Sequence, residues 1–396
     1  MSISSGKTAK EQLTVNDIRY NNKVNLFTDI VNSAGVTKND LAIKNNISIM
    51  TVKNIVDELL EMDLVEEYLL NSAVGRKPMA LQVNSRYGNI ICINLSTIHE
   101  IRFIIYNLRG IELASGRTRF KNQSKTLREK IDDVITEIKT KLEDIQTETI
   151  GIAVFVPGVY YEEQDMVKFA MFSELSELKI KKVFSEAFDI TNIQILHDTH
   201  ASANSEYELR KLDNDSQFYL YCGDGVGGCF INADGTPVLG SALLAGEIGN
   251  VICSWKQDQT PVRIESMLSI AEIMKRLPEA YQDQEFEEIM RSYELVPEIA
   301  QILDKVFLAA AEMLYNMVWI YNPSRIVVDS YCREYAEMMV QKTKSFFRKY
   351  FDENFLQETE IAVTQCDEYH TMSGCMRRAR TCWIEQIVVS PENNYR

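Results

Sequence analysis

The feature that most constrains the fold is a series of short apolar runs, each bounded by polar residues, that begins near residue 88. Apolar runs bounded by polar residues are consistent with buried strands. Helical patterns near 124–145, 262–276 and 297–320 alternate with them. Such alternation indicates an α/β body. The predicted strands are NIICINLS (89–96), EIRFIIYNLRG (100–110), TIGIAVFVPG (149–158), IQILHD (193–198), FYLYCGDGVGGCFIN (218–232) and RIVVDS (325–330).

The residues before this body follow a different pattern, which predicts a helix-turn-helix and a hairpin. A first helix with apolar residues at helical spacing should end at Gly35. A short helix is expected over 38–45, and Asn46 suits a tight turn because asparagine tolerates left-handed backbone. Ser48 is a favourable N-cap for a longer helix through Met62. The segments LVEEYLL and MALQVN, joined by NSAVGRKP, predict a β-hairpin.

The longer helix is amphipathic, and the side chains at its exposed start suit DNA. Asparagine bonds adenine edges, and lysine reaches guanine or phosphate. Two cations at the hairpin tip suit phosphates or a narrow minor groove. Shape alone is equally compatible with helices that only pack or dimerise. The inward stripe is Val52, Ile55, Val56, Leu59 and Leu60, and the expected contacts to double-stranded DNA are Ser48, Met50, Thr51, Lys53, Asn54, Arg76 and Lys77.

The net charge of −15 is distributed unevenly along the chain. Residues 1–86 contain ten basic and ten acidic residues, whereas the remainder contains 32 basic and 47 acidic residues. An acidic body is repelled by nucleic acid. DNA contact must therefore be confined to the neutral N-terminal part.

The cysteine pattern and the N-terminal sequence bear on the cellular compartment. Eight cysteines are scattered with no CxC or CxxC pair, which favours reduced thiols. The start, MSISSGKTAKEQ, lacks the apolar stretch of a signal peptide, and no run approaches 18 apolar residues. We expect a cytoplasmic protein with no membrane partner.

Several segments, in order, resemble the ROK family, whose name joins repressors, open reading frames and kinases. In the body, LHDTHASANSEYE (196–208), YLYCGDGVGGCFINADGTPVLGSALLAGEIGN (219–250) and NMVWIYNPSRIVV (316–328) resemble family elements. The resemblance covers about residue 20 to 380. The positions matching the winged-helix region of ROK regulators are Leu41–Ala42, Ile47–Ser48, Thr51–Val52 and Gly75–Arg76–Pro78.

This resemblance implies an α/β chain in which a winged helix-turn-helix precedes a two-lobed actin-like, sugar-kinase (ribonuclease H-like) ATPase fold. The implied domains are the DNA-binding domain at 16–86, a first α/β lobe at 87–195 and a second at 196–396. Whether the C-terminal helix returns to the first lobe is left open.

The nucleotide side of the body departs from the family's kinases. Their first phosphate loop, Asp-x-Gly-Gly-Thr, lets backbone amides approach phosphates, but the matching segment Asn94–Ile98 has neither Asp nor Gly. The second loop, 223–228, keeps glycines that turn geometry explains, and Asp224 replaces a small hydroxyl residue. Asp329–Ser330 stands where the family has Gly-Gly. The resemblance therefore implies a body with no catalytic residues and no cofactor.

The sugar side is partly retained. Three carboxylates match the family's sugar-binding positions, while a histidine replaces the usual asparagine and an asparagine the usual histidine. Taken singly, each carboxylate is explained by surface charge, and the histidine is equally explained by a structural role. As a set they suit a sugar or sugar derivative. The implied ligand contacts are His197, Asp198, Glu247, Asn250 and Glu265.

The family's structural zinc site needs that missing histidine and a cysteine-rich loop. The matching segment, CSWKQDQTPVRIE (253–265), holds one cysteine, Cys253, which cannot complete a tetrahedral site. We expect no metal, and a loop packed around Trp255 instead. His200 is expected to face solvent.

Together these features predict a transcriptional repressor of carbohydrate metabolism. A homodimer or homotetramer would bind a two-fold operator, and a sugar effector would close the lobes and shift a two-state equilibrium. One alternative is an active ROK sugar kinase with an accessory N-terminal domain, which the first-loop substitutions disfavour. Another is a regulator whose body only oligomerises.

Overall fold

The computed structural model describes residues 15–33, 35–69, 79–96, 100–120, 125–169, 172–210, 215–350 and 359–389. Its N-terminal part consists of a helix-turn-helix and an antiparallel hairpin. The tip of that hairpin, with the predicted contacts Arg76 and Lys77, lies outside the described residues. The elements are α1 (Val15–Asn32), α2 (Lys38–Asn45), α3 (Ile49–Glu61), β1 (Val65–Leu69) and β2 (Met79–Val83).

Local caps explain the helix-turn-helix. Thr37 and Asp40 form a reciprocal capping box at the start of α2. Asn46 ends α2 in the left-handed region, with φ 51° and ψ 44°, as predicted. Ser48 is the N-cap of α3 and accepts a hydrogen bond from the Thr51 amide, which is also as predicted. The prediction that Gly35 ends the first helix is three residues late, since α1 ends at Asn32.

The first lobe is built on a five-stranded sheet in the order β5-β4-β3-β6-β9. Strands β3, β4 and β5 are antiparallel neighbours, whereas β3, β6 and β9 are parallel. Strand β5 escaped prediction because it alternates between exposed and half-buried residues. The lobe comprises β3 (Asn89–Asn94), β4 (Glu100–Asn107), β5 (Glu112–Arg119), α4 (Leu127–Ile145), β6 (Thr149–Val156), β7 (Val159–Tyr161), β8 (Met166–Lys168), α5 (Ser173–Glu177), α6 (Ile180–Phe188) and β9 (Ile193–His197).

The second lobe carries a four-stranded sheet in the order β11-β10-β14-β15. Helix α7 (Asp198–Leu209) enters it directly from β9. The further elements are β10 (Gln217–Cys222), β11 (Val226–Ile231), β12 (Ile252–Trp255), β13 (Pro261–Arg263), α8 (Ile264–Leu268), α9 (Ile270–Arg276), α10 (Phe286–Ser292), α11 (Pro297–Tyr321), β14 (Arg325–Asp329), α12 (Arg333–Tyr350) and β15 (Glu360–Val363).

The prediction of one helix over 262–276 is wrong. The segment contains the end of β13 and two short helices, α8 and α9. Ser269 separates them because its backbone is extended, with ψ 138°, and its side chain caps α9 by accepting from the Glu272 amide.

The last helix, α13 (Glu368–Val389), returns to the first lobe and packs against β3 and β6. It also contacts α7 and α1. One buried apolar cluster therefore runs from Phe27 of α1 through Cys92 and Phe155 of the sheet to Met376 and Trp383 of α13. Among the described helices, none is long and apolar enough to cross a membrane.

Candidate effector and DNA-binding sites

The start of α3 presents several of the predicted DNA contacts to solvent. Met50 is 63% exposed, Lys53 and Asn54 are exposed, and Thr51 is half-buried. The Ser48 hydroxyl lies 2.8 Å from the Thr51 hydroxyl and accepts from the Thr51 amide at 3.1 Å. Ser48 and Thr51 thus fix the geometry of the helix start, and Met50, Lys53 and Asn54 are free to meet a groove.

Two acidic side chains further along α3, Asp57 and Glu58, are paired with basic residues of neighbouring elements. Lys38 lies 3.7 Å from the Asp57 carboxylate. Glu58 forms ion pairs with Arg19 and with Lys23, the latter at 3.2 Å. These pairs reduce the negative potential that DNA would meet, which leaves the first turns of α3 as the approachable part.

A compact polar cluster forms where β9 ends and α7 begins. The His197 Nε2 lies 3.3 Å from Glu247 Oε1, and its Nδ1 lies 3.3 Å from Asp198 Oδ1. Although burial opposes a charge there, the nearby carboxylates of Asp198 and Glu247 favour the protonated ring and raise the pKa of His197 to about 9. Burial also opposes the ionisation of Asp198, but His197 holds its pKa below the usual value. An imidazolium thus bridges two of the predicted sugar carboxylates.

The backbone conformation of Gly246, directly before Glu247, positions Glu247 in this cluster. Gly246 has φ +99°, and a Cβ there would collide with the Gly228 carbonyl oxygen. The Gly228 amide in turn donates to the Gly246 carbonyl at 2.8 Å. Gly228 of the second loop is therefore needed for the close packing of β11 against the Gly246 backbone.

The expectation that His200 faces solvent is wrong. Its ring stacks on His197 with centroids 4.7 Å apart. Burial and the neighbouring positive charge of His197 lower the pKa of His200 to about 4, so the second imidazole is neutral. The spacing of His197 and His200 could have predicted this contact, since residues three apart at a helix start lie on the same face.

The other two predicted ligand residues lie at the rim. Asn250 and Glu265 are both exposed. The Asn250 amide donates to the Glu247 carbonyl at 3.1 Å, and the Glu265 side chain lies against Gly249. All five predicted positions are thus contiguous, but only His197, Asp198 and Glu247 are in direct contact.

The segment that matches the family's zinc loop is a hairpin, β12–β13. The expected packing around Trp255 is wrong, because Trp255 is 61% exposed. Backbone hydrogen bonds hold the turn instead, with the Lys256 amide donating to the Thr260 carbonyl at 2.9 Å. Across the described part of the chain, no group of three or more His, Cys, Asp or Glu is arranged to hold a metal ion.

A larger cleft of about 780 Å³ separates the two lobes beside Asp198. Acidic side chains dominate its charged lining, which consists of Glu100, Asp198, Asp224, Asp329, Asp367 and Glu368 against Arg102 and Arg333. Asp329 accepts from the Tyr219 hydroxyl at 2.5 Å, and burial raises the pKa of Asp329 to about 6. Asp224 accepts from the Tyr331 hydroxyl at 3.1 Å.

Asn94 and Ser96, which belong to the segment that matches the first phosphate loop, line this cleft. Asn94 donates through Nδ2 to Glu368 Oε1 at 2.8 Å, and Arg102 pairs with the same carboxylate. Glu368 was not predicted as part of the site, because 274 positions separate it from Asn94 and only the return of α13 brings them together. Thr97 and Ile98 lie outside the described residues.

The family model for ROK proteins matches residues 90–379. The chain belongs to the ROK family. A "Xylose repressor" from Caldicellulosiruptor bescii is 23% identical over 90% of this ROK chain and 94% of its own length. Another "Xylose repressor", from Lactiplantibacillus pentosus, is 21% identical over 79% of this chain and 81% of its own.

Solved ROK structures share the fold. A ROK family transcriptional regulator, described as a homologue of the E. coli MLC protein, superposes with a TM-score of 0.77 and 16% identity over 94% of this chain and 99% of its own. Likeness at this level of identity shows the fold alone.

Proposed function

We propose that this ROK protein is a DNA-binding transcriptional repressor that responds to a sugar, with residues 16–86 as its DNA-binding unit. The observation that carries the proposal is the exposed start of α3, where Lys53 and Asn54 face outward on a capped helix. The relatives named xylose repressors match along nearly the whole chain, which supports the same role. The cytoplasmic location expected from the sequence follows from that role.

We propose a neutral aldose as the effector, with D-xylose the first to test. Carboxylates accept hydrogen bonds from pairs of sugar hydroxyls. Asp198 and Glu247 are already neutralised in part by His197. An anionic sugar phosphate would meet the acidic cleft next to Asp198, which disfavours it.

We also propose that the body does not transfer phosphate. In the family's kinases the phosphates need close backbone approach and cationic support. Here carboxylates line the cleft, including Asp224 and Asp329. Two like charges 6 Å apart repel by roughly 3 kcal/mol at an effective dielectric constant near 20. The kinase alternative requires ATP consumption with an aldose, and coupled assays with glucose and xylose measure it directly.

The proposed assembly is a homodimer or homotetramer on a two-fold operator. Paired helix-turn-helix units bind half-sites about one helical turn apart. Light scattering of the full chain, alone and with operator, distinguishes the two assemblies.

The function is tested by selecting bound sequences from random duplex DNA and then titrating the selected site. We expect an inverted repeat and an affinity that D-xylose lowers. Lys53→Ala should weaken binding, whereas Lys139→Ala, on an exposed face of α4, is the matched control. Recovery of no preferred sequence, or equal losses in both variants, would contradict the proposal.

A further inference from the structure

Helix α13 connects the interlobe cleft to the helix-turn-helix as one unbroken element. Its 22 residues span about 33 Å. Glu368 and Thr371, at its start, line the cleft. Trp383, near its end, belongs to the apolar cluster shared with α1. A single helix therefore contacts both the cleft and α1, the helix that packs against the helix-turn-helix.

At the cleft end, α13 packs closely against α7, the helix that begins with Asp198. A Cβ at Gly374 would overlap the Ser205 hydroxyl, so the two helices approach as near as glycine permits. Arg377 donates to Glu208 at 3.0 Å through Nε and at 2.5 Å through Nη2. Movement of α7 must therefore displace α13 or break this contact.

At the DNA-binding end, α13 holds α1 through one buried cation and one aromatic ring. Arg380 is 5% exposed and donates to Asn32 Oδ1 at 2.7 Å and to the Leu108 carbonyl at 2.6 Å. The Trp383 ring meets the edge of Phe27, with centroids 5.8 Å apart. The same α1 is tied to α3 by the ion pairs of Glu58.

We infer that α13 transmits the state of the effector cluster to the DNA-binding helices, with Arg377–Glu208 and Arg380–Asn32 as its two connections. The inference rests on the proposed function. A sugar that takes hydroxyl hydrogen bonds at Asp198 competes with His197 for that carboxylate and so repositions the start of α7. Packed helices switch between discrete arrangements rather than deforming smoothly, so the shift passes through α13 to α1 and α3.

The test compares two variants with matched neighbours on the same helices. Arg377→Ala removes the α7 connection, and the exposed Arg378→Ala removes the same charge one residue away. Asn32→Ala removes one of the two acceptors of Arg380, the one that lies on α1, and Asn25→Ala changes an exposed residue of α1. Calorimetry measures D-xylose binding, and fluorescence anisotropy measures operator binding with and without D-xylose.

Linked sites typically change each other's affinity by about 5- to 150-fold. We expect the parent, Arg378→Ala and Asn25→Ala to lose at least about fivefold in operator affinity when saturated with D-xylose. In Arg377→Ala and Asn32→Ala, saturation with D-xylose should lower operator affinity by less than about twofold. Each of these variants should still bind D-xylose alone and operator alone like the parent. Full coupling in both of these variants would overturn the inference.

A second measurement needs no sugar. By reciprocity, operator binding must alter the α7 end of the connection, so hydrogen exchange of residues 198–209 should change on adding DNA in the parent and in Asn25→Ala but not in Asn32→Ala. Unchanged exchange in the parent overturns the inference. If D-xylose fails to bind while the exchange changes as expected, the proposed effector is wrong and the connection through α13 stands.

Discussion

Replacing His197 by asparagine should remove a pH-dependent contribution to stability. The pKa of His197 is raised from 6.5 to about 9 in the folded chain, and each pKa unit corresponds to about 1.4 kcal/mol. The cluster therefore contributes roughly 3 kcal/mol as an order of magnitude. Because the folded pKa is the higher one, this contribution is fully present below pH 6.5 and is lost as the pH rises towards 9.

The assay is thermal unfolding of the parent and His197→Asn at several pH values from 6 to 9.5. The parent should unfold several degrees above the variant at pH 6, and the difference should shrink as the pH rises. His370→Asn, at a histidine whose side chain is 46% exposed, is the control. A difference that stays constant from pH 6 to 9.5 would refute a charged His197 between Asp198 and Glu247.

Four further substitutions test the DNA contacts, the sugar site and the turn at Gly246. Asn54→Ala should weaken operator binding by about 5- to 150-fold and relax the sequence preference at one base pair. Arg76→Ala should weaken binding to all duplexes by the same factor and reduce the salt dependence of binding. Anisotropy titrations at two salt concentrations measure both effects. Asp198→Asn should abolish the calorimetric heat of D-xylose binding, yet leave operator affinity without sugar unchanged. Gly246→Ala should cost at least about 1–3 kcal/mol of stability in urea unfolding, because φ is +99° and the Cβ would meet the Gly228 carbonyl.

The parts of the fold that local sequence determines were predictable. Asn46 and Ser48 specify the turn and the start of α3 through their own backbone and side-chain hydrogen bonds. The single break at Ser269 was missed, because an N-cap inside an apolar pattern resembles an ordinary helical serine. The burial of His200 was not predicted because it depends on tertiary contacts. Its ring stacks on His197, and the loop around Gly246 lies close to its Nε2 atom.

The candidate site could be predicted only where neighbouring residues form it. The pair His197–Asp198 is adjacent in sequence, and the resemblance supplied Glu247. The acidic cleft was hidden, because Asp329 and Glu368 reach it from a distant strand and from the returning helix. Asn94 and Glu368 are 274 positions apart, so no local sequence pattern indicates their contact.

The departure of the first loop from the kinase pattern has a structural consequence beyond the proposed loss of a phosphate site. Asn94 and Arg102 both bind Glu368, the first residue of α13. A phosphate in that place would compete with the Glu368 carboxylate for the same donors and would be repelled by it. Asn94 and Arg102 therefore fasten the start of α13 to the first sheet, while its far end holds α1. Because α13 is held at its start and at its far end, the proposed coupling between Asp198 and α3 requires a shift at α7 to move the whole of α13 rather than its start alone.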